Sequence, residues 1–482
     1  MAPGTLMIFR GDRRRRFPIV ARELASLALV AAVISFMPLQ WATALLGTAG
    51  LATVIAVRPT AGLAAIALLI PFGNTIPIPA PGVNGVDLLV LAVIAGWAAG
   101  QIATREIRFR RPPLAVALAV LVWMLALSLT QARSWSEGAA EWLKWVEFAL
   151  LYGVATQLLR TRLQIGWVIG ALLAAGMIQA ALGAYQFWGQ VGPPAFALAG
   201  GYLRAHGTFR QPNPYAGYLG YLAPVAASLA VAAFWRWGEG RRPRDLKAGL
   251  GYGAVALSLA AGIGMSWSRG GWMALVAAWT AVIGLRGRRT AAVILVLVGI
   301  GAAYIGLGGP LPGPIAGRLH DLGDYLIGPD PTRTEITDEN FAVLERLAHW
   351  QVGLAMFADH PWLGVGIGNY AAAYPDYAPP HWYEPLGHAH NVFINFLAET
   401  GIAGLGAFVL FWAGAWRLCW QRARRNATGH PTMQALAIGV LGSLIYLTAH
   451  SIFDNLFVQH MQLQLALLLA CVANTDRREV TC

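Results

Sequence analysis

The stretch NPYAGYLGYLAPVAASLAVAAFW, Asn213 to Trp235, runs for 23 residues without a charged side chain. A helix of that length crosses the hydrocarbon core of a bilayer. Only a helix or a closed barrel satisfies its backbone there. Comparable apolar runs recur on both sides of it, at about 20–37, 39–57, 60–72, 85–103, 113–130, 139–158, 164–188, 248–266, 270–285, 290–309, 391–416, 432–450 and 456–474. With the opening stretch, 213–235, that makes fourteen candidate spans. The third is short and ends at Pro71, so it reads as a broken span. The pattern predicts an all-α polytopic membrane protein with about 12–14 transmembrane helices. Composition agrees: 57% of the 482 residues are hydrophobic and 12% are charged, about half the charge of an ordinary soluble chain.

The net charge of +12 does not mark a nucleic-acid binder, because the basic clusters lie in short connections between apolar runs. That is the distribution of cytoplasmic loops. If Arg13–Arg16 lie inside and the spans alternate, then Arg58, Arg105–Arg111, Arg160–Arg162, Arg236–Lys247, Arg286–Arg289, Arg417–Arg425 and Arg477–Arg478 all fall inside. Five regions follow: a basic cytoplasmic N-terminus (1–19), spans with short loops (20–309), a large outer loop (310–390), C-terminal spans (391–474) and a cytoplasmic tail (475–482). Arg13–Arg16 with the first apolar run reads as a signal anchor. The three cysteines, Cys419, Cys471 and Cys482, offer neither a disulfide framework nor a clustered zinc spacing.

The outer loop is too long to be structureless without a reason. From Asn340, NFAVLERLAHWQVGLAMFADHP places Phe341, Leu344, Leu347 or Ala348, Leu354 and Phe357 near one face. Thr337 or Asp338 can cap its start and Pro361 follows its end. It is expected to be an amphipathic helix on the outer membrane surface.

Arginines on the outer side run against the positive-inside rule. They are Arg133, Arg204, Arg210, Arg269, Arg318, Arg333 and Arg346. Arg204 and Arg210 lie in YLRAHGTFRQPNPYAGYL, a Pro- and Gly-rich turn leading into a span. Arg269 lies in GMSWSRGGWMAL, a connection too short to leave the bilayer surface. Arg346 sits on the amphipathic helix. A guanidinium stays charged and grips phosphate bidentately, so convergence of several would suit a phosphorylated, lipid-borne anion. The bland alternative is snorkelling to headgroups or pairing with a loop carboxylate.

HAHNVFINFLAETGIAGL, His388 to Leu405, adds titratable groups. On a continuous helix Asn391, Asn395 and Glu399 form one polar stripe, with Glu399 about 12 Å from Asn391 along the axis. An ionisable group there is a functional candidate. His390 can take a proton from a hydroxyl near neutral pH; the alternative is an interfacial histidine bonded to a carbonyl. His388 is a second candidate. DHPWLGVGIGNY, Asp359 to Tyr370, lacks the Walker lysine and Ser/Thr. Its glycines suit a tight turn, with Trp362 and Tyr370 as interfacial anchors or sugar platforms. His450 and Asp454 stand at i, i+4 as a metal pair or, more simply, a hydrogen-bonding support. Lys144 between Glu141 and Glu147 reads as a self-satisfied helix face.

Four stretches together resemble the O-antigen ligase and O-antigen polymerase superfamily: RAHGTFRQPNPYAGYL, SWSRGGWMAL, ERLAHWQVGLAMFADHPWLGVGIGNY and HAHNVFINFLAETGIAGL. Their order and the long outer loop before the histidine fit across about 200–460. The first 200 residues are similar only in being a series of spans. The resemblance implies a GT-C-like membrane glycosyltransferase without cofactor or metal. It implies a glycan donor carried on undecaprenyl diphosphate and a glycan or lipid A core acceptor. It implies residence in the inner (cytoplasmic) membrane, with both termini cytoplasmic and the site on the periplasmic face. Arg204, Arg269 and His390 match the family's functional positions. Arg210, Arg346, His388, Asn391, Asn395, Glu399 and Asp454 are expected to bind substrate or support the site. A transporter or flippase of lipid-linked glycan is the alternative. It should line a path through the midplane, whereas these residues crowd one face.

Overall fold

The computed structural model describes residues 58–75, 84–105, 109–198, 201–285, 328–337, 340–425 and 430–475, with scattered positions between 50 and 55 and between 287 and 307. The spans expected at 20–37, 39–57 and 290–309, the Arg13–Arg16 cluster, Arg318 and the tail fall wholly or mainly outside the described residues.

The described helices are α1 (Pro59–Leu69), α2 (Gly85–Ala103), α3 (Ala115–Ser128), α4 (Trp135–Leu158), α5 (Arg162–Gly189), α6 (Pro212–Gly240), α7 (Pro243–Met265), α8 (Arg269–Gly284), α9 (Phe341–Asp359), the single turn α10 (Tyr370–Ala373), α11 (Val392–Arg425), α12 (Pro431–His450) and α13 (Met461–Ala473). No strand occurs among the described residues. Among the described residues, six helices are long and apolar enough to cross a membrane: α2, α5, α6, α7, α11 and α12. The protein is an all-α polytopic membrane protein.

Local sequence sets where the helices start. Asn84 with Asp87, and Thr161 with Gln164, form capping boxes at α2 and α5. Proline opens α1, α6, α7 and α12, where its missing N–H costs nothing.

The opening stretch of sequence is the hub. On α6, Tyr215, Tyr218 and Tyr221 are all fully buried, and the helix packs against α7, α8 and α12. In a bilayer, close packing and interhelical hydrogen bonds hold helices together, and both occur here. A Cβ on Gly220 would overlap the Tyr446 ring, whose hydroxyl donates to the Ala216 carbonyl at 2.9 Å. Ser228 donates to Ala435 O at 2.7 Å, and Ser443 to Tyr221 O at 2.6 Å.

Four details differ from the sequence-based expectation. The span expected at 391–416 is not one continuous helix, because Gly401 adopts φ 61° and ψ −164° and breaks it. The glycine-rich loop splices into the break. Ile402 and Ala403 donate their N–H groups to Pro361 O and Trp362 O, at 2.9 and 3.3 Å. Val365 and Gly366 donate to Ala398 O and Glu399 O, both at 2.9 Å. These four bonds satisfy backbone groups that the break opens. A Cβ on Gly364 or Gly401 would overlap the opposing backbone, so glycine is required at both.

The last span begins at Met461, not near 456, because residues 451–460 form turns. The buried face of α9 is Val343, Leu344, Ala348, Val352 and Met356. Phe341 and Leu354, expected on the apolar face, are exposed, because α9 docks onto α11 through a neighbouring stripe. Finally, Lys144 pairs with Glu141 and donates to Phe457 O at 2.7 Å. Glu147 turns instead to Asp87 and His460, where His460 Nε2 lies 2.8 Å from Asp87 Oδ1.

Candidate active site

Three of the arginines expected on the outer side meet. Arg204 is set by backbone pairing on both sides: its N–H donates to Phe196 O at 3.1 Å and the Ala205 N–H to Met265 O at 3.0 Å. Its guanidinium donates from Nε to Ser266 O at 2.8 Å and from Nη2 to Asn213 Oδ1 at 3.0 Å. Arg269 is the first residue of α8. Arg346 comes from α9 and donates from Nη1 to Ala342 O at 2.9 Å. With Asn213, Trp267, Ser268, Gly270 and His450, the three line one small cavity that is partly open to solvent.

The other outer arginines are placed differently. Arg210 is exposed on the turn before α6 and does not line the cavity. Arg133 pairs with Asp376, and Arg333 lies 3.4 Å from Asp330.

The imidazoles form a second cluster. His390 lies in the left-handed region at φ 50°, uncommon for a residue with a side chain. Its neighbours hold it there. Asn391 Oδ1 accepts the Phe393 and Ile394 N–H groups at 2.9 and 3.1 Å. Asn395 Oδ1 accepts the Ala389 N–H at 3.0 Å. The Val392 N–H donates to Ser451 O at 2.9 Å, tying the histidine turn to the end of α12. Both asparagines are placed as supports of the turn.

Asp454, buried, faces two rings: its Oδ1 is 3.6 Å from His390 Nδ1 and 3.8 Å from His388 Nε2. Burial alone would raise its carboxyl. The adjacent His390 ring, with His388 and Arg346, outweighs that and holds it well below the usual carboxylate range. Burial and the neighbouring His390 push His388 down to about 4, against the pull of Asp454. Buried His349 packs edge-on against His390, centroids 5.5 Å apart. Burial and the two other imidazoles push it down to about 3.

These contacts assign protons. The His390 N–H donates to His388 Nδ1 at 3.1 Å. Neutral His388 therefore carries its proton on Nε2, towards Asp454. His388, His390 and Asp454 have the donor spacing of a metal site, but the Nε2 that faces the aspartate bears a proton rather than a lone pair. The trio suits a hydrogen-bonded base better than a metal. Asp454 beside His390 Nδ1 favours the tautomer with its proton there. Nε2 is then the basic atom, the arrangement of a carboxylate-oriented general base.

Arg346 joins the halves, since its charge acts on both Asp454 and His388. Glu345 beside it is raised by burial, against the pull of His390 and Arg346. Glu399 is buried, and its Oε1 accepts the Tyr370 N–H at 3.1 Å. The Tyr370 hydroxyl meets His349 Nδ1 at 3.0 Å. Glu399 thus anchors the glycine-rich loop, which holds the ring behind His390. Sequence reasoning passed over Asn213, Ser268 and His349 as site residues. Only His349 carried a signal, as an imidazole at the buried spacing of α9.

Family comparison places the geometry. A family profile described as O-antigen ligase matches residues 253–409. That segment contains Arg269, Arg346, His388, His390, Asn391, Asn395 and Glu399; Arg204 and Asp454 lie outside it. Against individual curated proteins the chain gives no match. Residues 253–409 are therefore similar to the O-antigen ligase family, within an all-helical, multi-pass membrane protein.

Proposed function

We propose that the protein is a membrane glycosyltransferase of surface polysaccharide or lipopolysaccharide biosynthesis. It moves a glycan from undecaprenyl diphosphate to the hydroxyl of a glycan or lipid A core acceptor. The reaction takes place at the periplasmic face of the inner membrane, with both chain termini cytoplasmic. The observation that carries this reading is the convergence of Arg204, Arg269 and Arg346 on one cavity beside the histidine cluster.

The donor's diphosphate sits among the guanidinium groups. His390 Nε2 takes the proton of the acceptor hydroxyl as its oxygen attacks the anomeric carbon. The bond from that carbon to the diphosphate breaks, and the electron pair leaves on a phosphate oxygen. The arginines stabilise the charge that develops there, the task a divalent cation performs in other transferases. One displacement inverts the anomeric centre. Asp454 holds His390 in the required tautomer and steadies the imidazolium that forms. His388, Asn391 and Asn395 keep the turn in place.

The test is to incubate purified protein with undecaprenyl-diphosphate-linked glycan and an acceptor, and to follow release of undecaprenyl diphosphate. Release that depends on acceptor is expected. Movement of glycan across vesicles, with no release for any acceptor, points to the transporter alternative.

A further inference from the structure

The two connections that supply Arg204 and Arg269 each carry an aromatic residue two positions earlier, Tyr202 and Trp267. Tyr202 lies on a small hairpin. Ala197 and Leu203 pair across it; the Leu198 N–H donates to Tyr202 O at 2.8 Å and the Arg204 N–H to Phe196 O at 3.1 Å. Side chains alternate along an extended segment, so Tyr202 and Arg204 leave one side while Leu203 is buried on the other. Trp267 stands between Ser266, whose carbonyl anchors Arg204, and Ser268, the cap of α8. The two rings meet, with centroids 6.1 Å apart and planes 29° apart. Phe187 continues the row beyond Tyr202, at 6.0 Å and 7°. Trp272 packs on Trp267 at 5.4 Å, its own indole N–H donating to Ile263 O at 3.3 Å.

Aromatic rings at a membrane interface are ordinary anchors, and three observations set this pair apart. Trp267 lines the arginine cavity itself. It also holds a left-handed backbone, φ 53°, which is costly for a residue with a side chain and is met at ligand sites. Glycine would remove that strain, so what tryptophan adds at this position is its ring. Thirdly, the polar tips are open. Trp267 is half-buried and Tyr202 is 46% exposed. Neither the indole N–H nor the phenol hydroxyl has a hydrogen-bond partner among the described residues. A pyranose has the complementary surface: a face of C–H groups that packs on an aromatic ring, and a rim of hydroxyls for the ring's polar tip. The row of rings begins at the wall of a cationic cavity, so the sugar it suits is one joined to an anion.

We propose that Tyr202 and Trp267 form a sugar subsite at the edge of the arginine cavity, where a pyranose ring of the donor glycan stacks. This rests on the cavity being the donor site of the proposed transferase. It adds recognition of the glycan to recognition of its carrier: the arginines hold the phosphates, and the two rings hold a sugar. The indole N–H and the phenol hydroxyl bond the sugar's hydroxyls, which makes both residues determinants of which glycan is accepted.

The experiment uses the full chain in lipid nanodiscs, without acceptor, so that nothing turns over. Two ligands are titrated: undecaprenyl diphosphate, and the undecaprenyl-diphosphate-linked glycan extracted from the producing organism. The wild-type protein is expected to bind the glycan-bearing carrier about ten-fold more tightly. Trp267→Gly, which suits the left-handed backbone, and Tyr202→Ala should each lose most of that difference. Their affinity for undecaprenyl diphosphate should stay within about two-fold, which also reports that the cavity is folded. Tyr202→Phe keeps the ring and should retain more of the difference than Tyr202→Ala. If Trp267→Gly does not fold, Tyr202→Ala, at an exposed side chain, carries the test. Equal wild-type affinities, an unchanged difference in either variant, or equal loss of both ligands overturns the sugar subsite; the last two are what rings serving only as membrane anchors would give. Failure of the wild-type protein to bind undecaprenyl diphosphate at all overturns the donor reading of the cavity instead.

Discussion

Arg204→Lys keeps the charge at the cavity and removes the geometry. The guanidinium is fixed at two points, through Nε to Ser266 O at 2.8 Å and through Nη2 to Asn213 Oδ1 at 3.0 Å. An ammonium on a flexible stem cannot meet both acceptors and still present a planar donor pair to a phosphate. Hydrogen bonds to charged groups contribute about 1.5–3 kcal/mol each. If one such bond to the developing charge is lost, kcat/KM for undecaprenyl diphosphate release falls by roughly 10- to 150-fold. Arg204→Ala, which loses the charge as well, should fall further. Asn213→Ala removes one of the two anchors and should cost roughly 10-fold at most, because the Ser266 carbonyl still orients Nε. The decisive measurement is the double-mutant cycle. Asn213 is placed to act through Arg204, so adding Asn213→Ala to Arg204→Lys should cost almost nothing further. Additive losses, or a lysine variant as active as wild type, would refute the argument that orientation rather than charge alone is what Arg204 supplies.

The other predictions separate base, support and bystander. His390→Ala should lower acceptor-dependent turnover by about 10²–10⁴-fold while membrane insertion, measured by protease protection, is unchanged; activity near wild type removes His390 from the mechanism. Asp454→Asn should cut kcat by roughly 10- to 100-fold with little change in donor binding, since the carboxylate orients the ring; a pure KM effect would contradict that role. Arg210→Ala, outside the cavity, should retain turnover within about two-fold, and a large loss would place Arg210 at the site after all. Gly401→Ala must adopt a left-handed backbone, costing about 1–2 kcal/mol before any backbone overlap. It should lower the thermal midpoint in detergent, and an unchanged midpoint would argue against the splice with the glycine-rich loop.

The membrane class and the helix from 212 could be read from sequence because each is a local signal. An uncharged run of 23 residues has few fates. The kink in α11 could not be read this way. Gly401 looks like any glycine in an apolar helix, and what breaks the helix there is a loop whose residues lie some forty positions earlier. Glu399 misleads for the same reason. Its place on a polar stripe suggests a group facing substrate, yet its hydrogen bond goes to Tyr370, 29 residues away. Lys144 is the extreme case: two glutamates at helical spacing suggest a closed local triad, and the chain supplies Phe457 O, 313 residues away, as one partner instead. Periodicity carries no information about contacts at such separation.

The outer arginines also show how a binding charge differs from a structural one. Arg133 and Arg333 each have an aspartate beside them, Asp376 and Asp330, on exposed surface; such pairs contribute little and need no ligand. Arg204 is handled in the opposite way. Its guanidinium donates to a carbonyl and an amide oxygen, which fix its direction. Arg346 likewise donates to a carbonyl of its own helix. Asp454, buried, stands 3.6 and 3.8 Å from two imidazoles, and the charge of Arg346 acts on it as well. Cations held together at one cavity repel one another, and an anion that enters relieves that repulsion. The same arrangement has little reorganisation left to undergo as charge builds on a leaving group, which is the condition for electrostatic catalysis. Oriented cations gathered at one cavity, near an imidazole flanked by a carboxylate, are therefore the feature of this fold that supports the proposed transfer reaction, in which a phosphate is expelled.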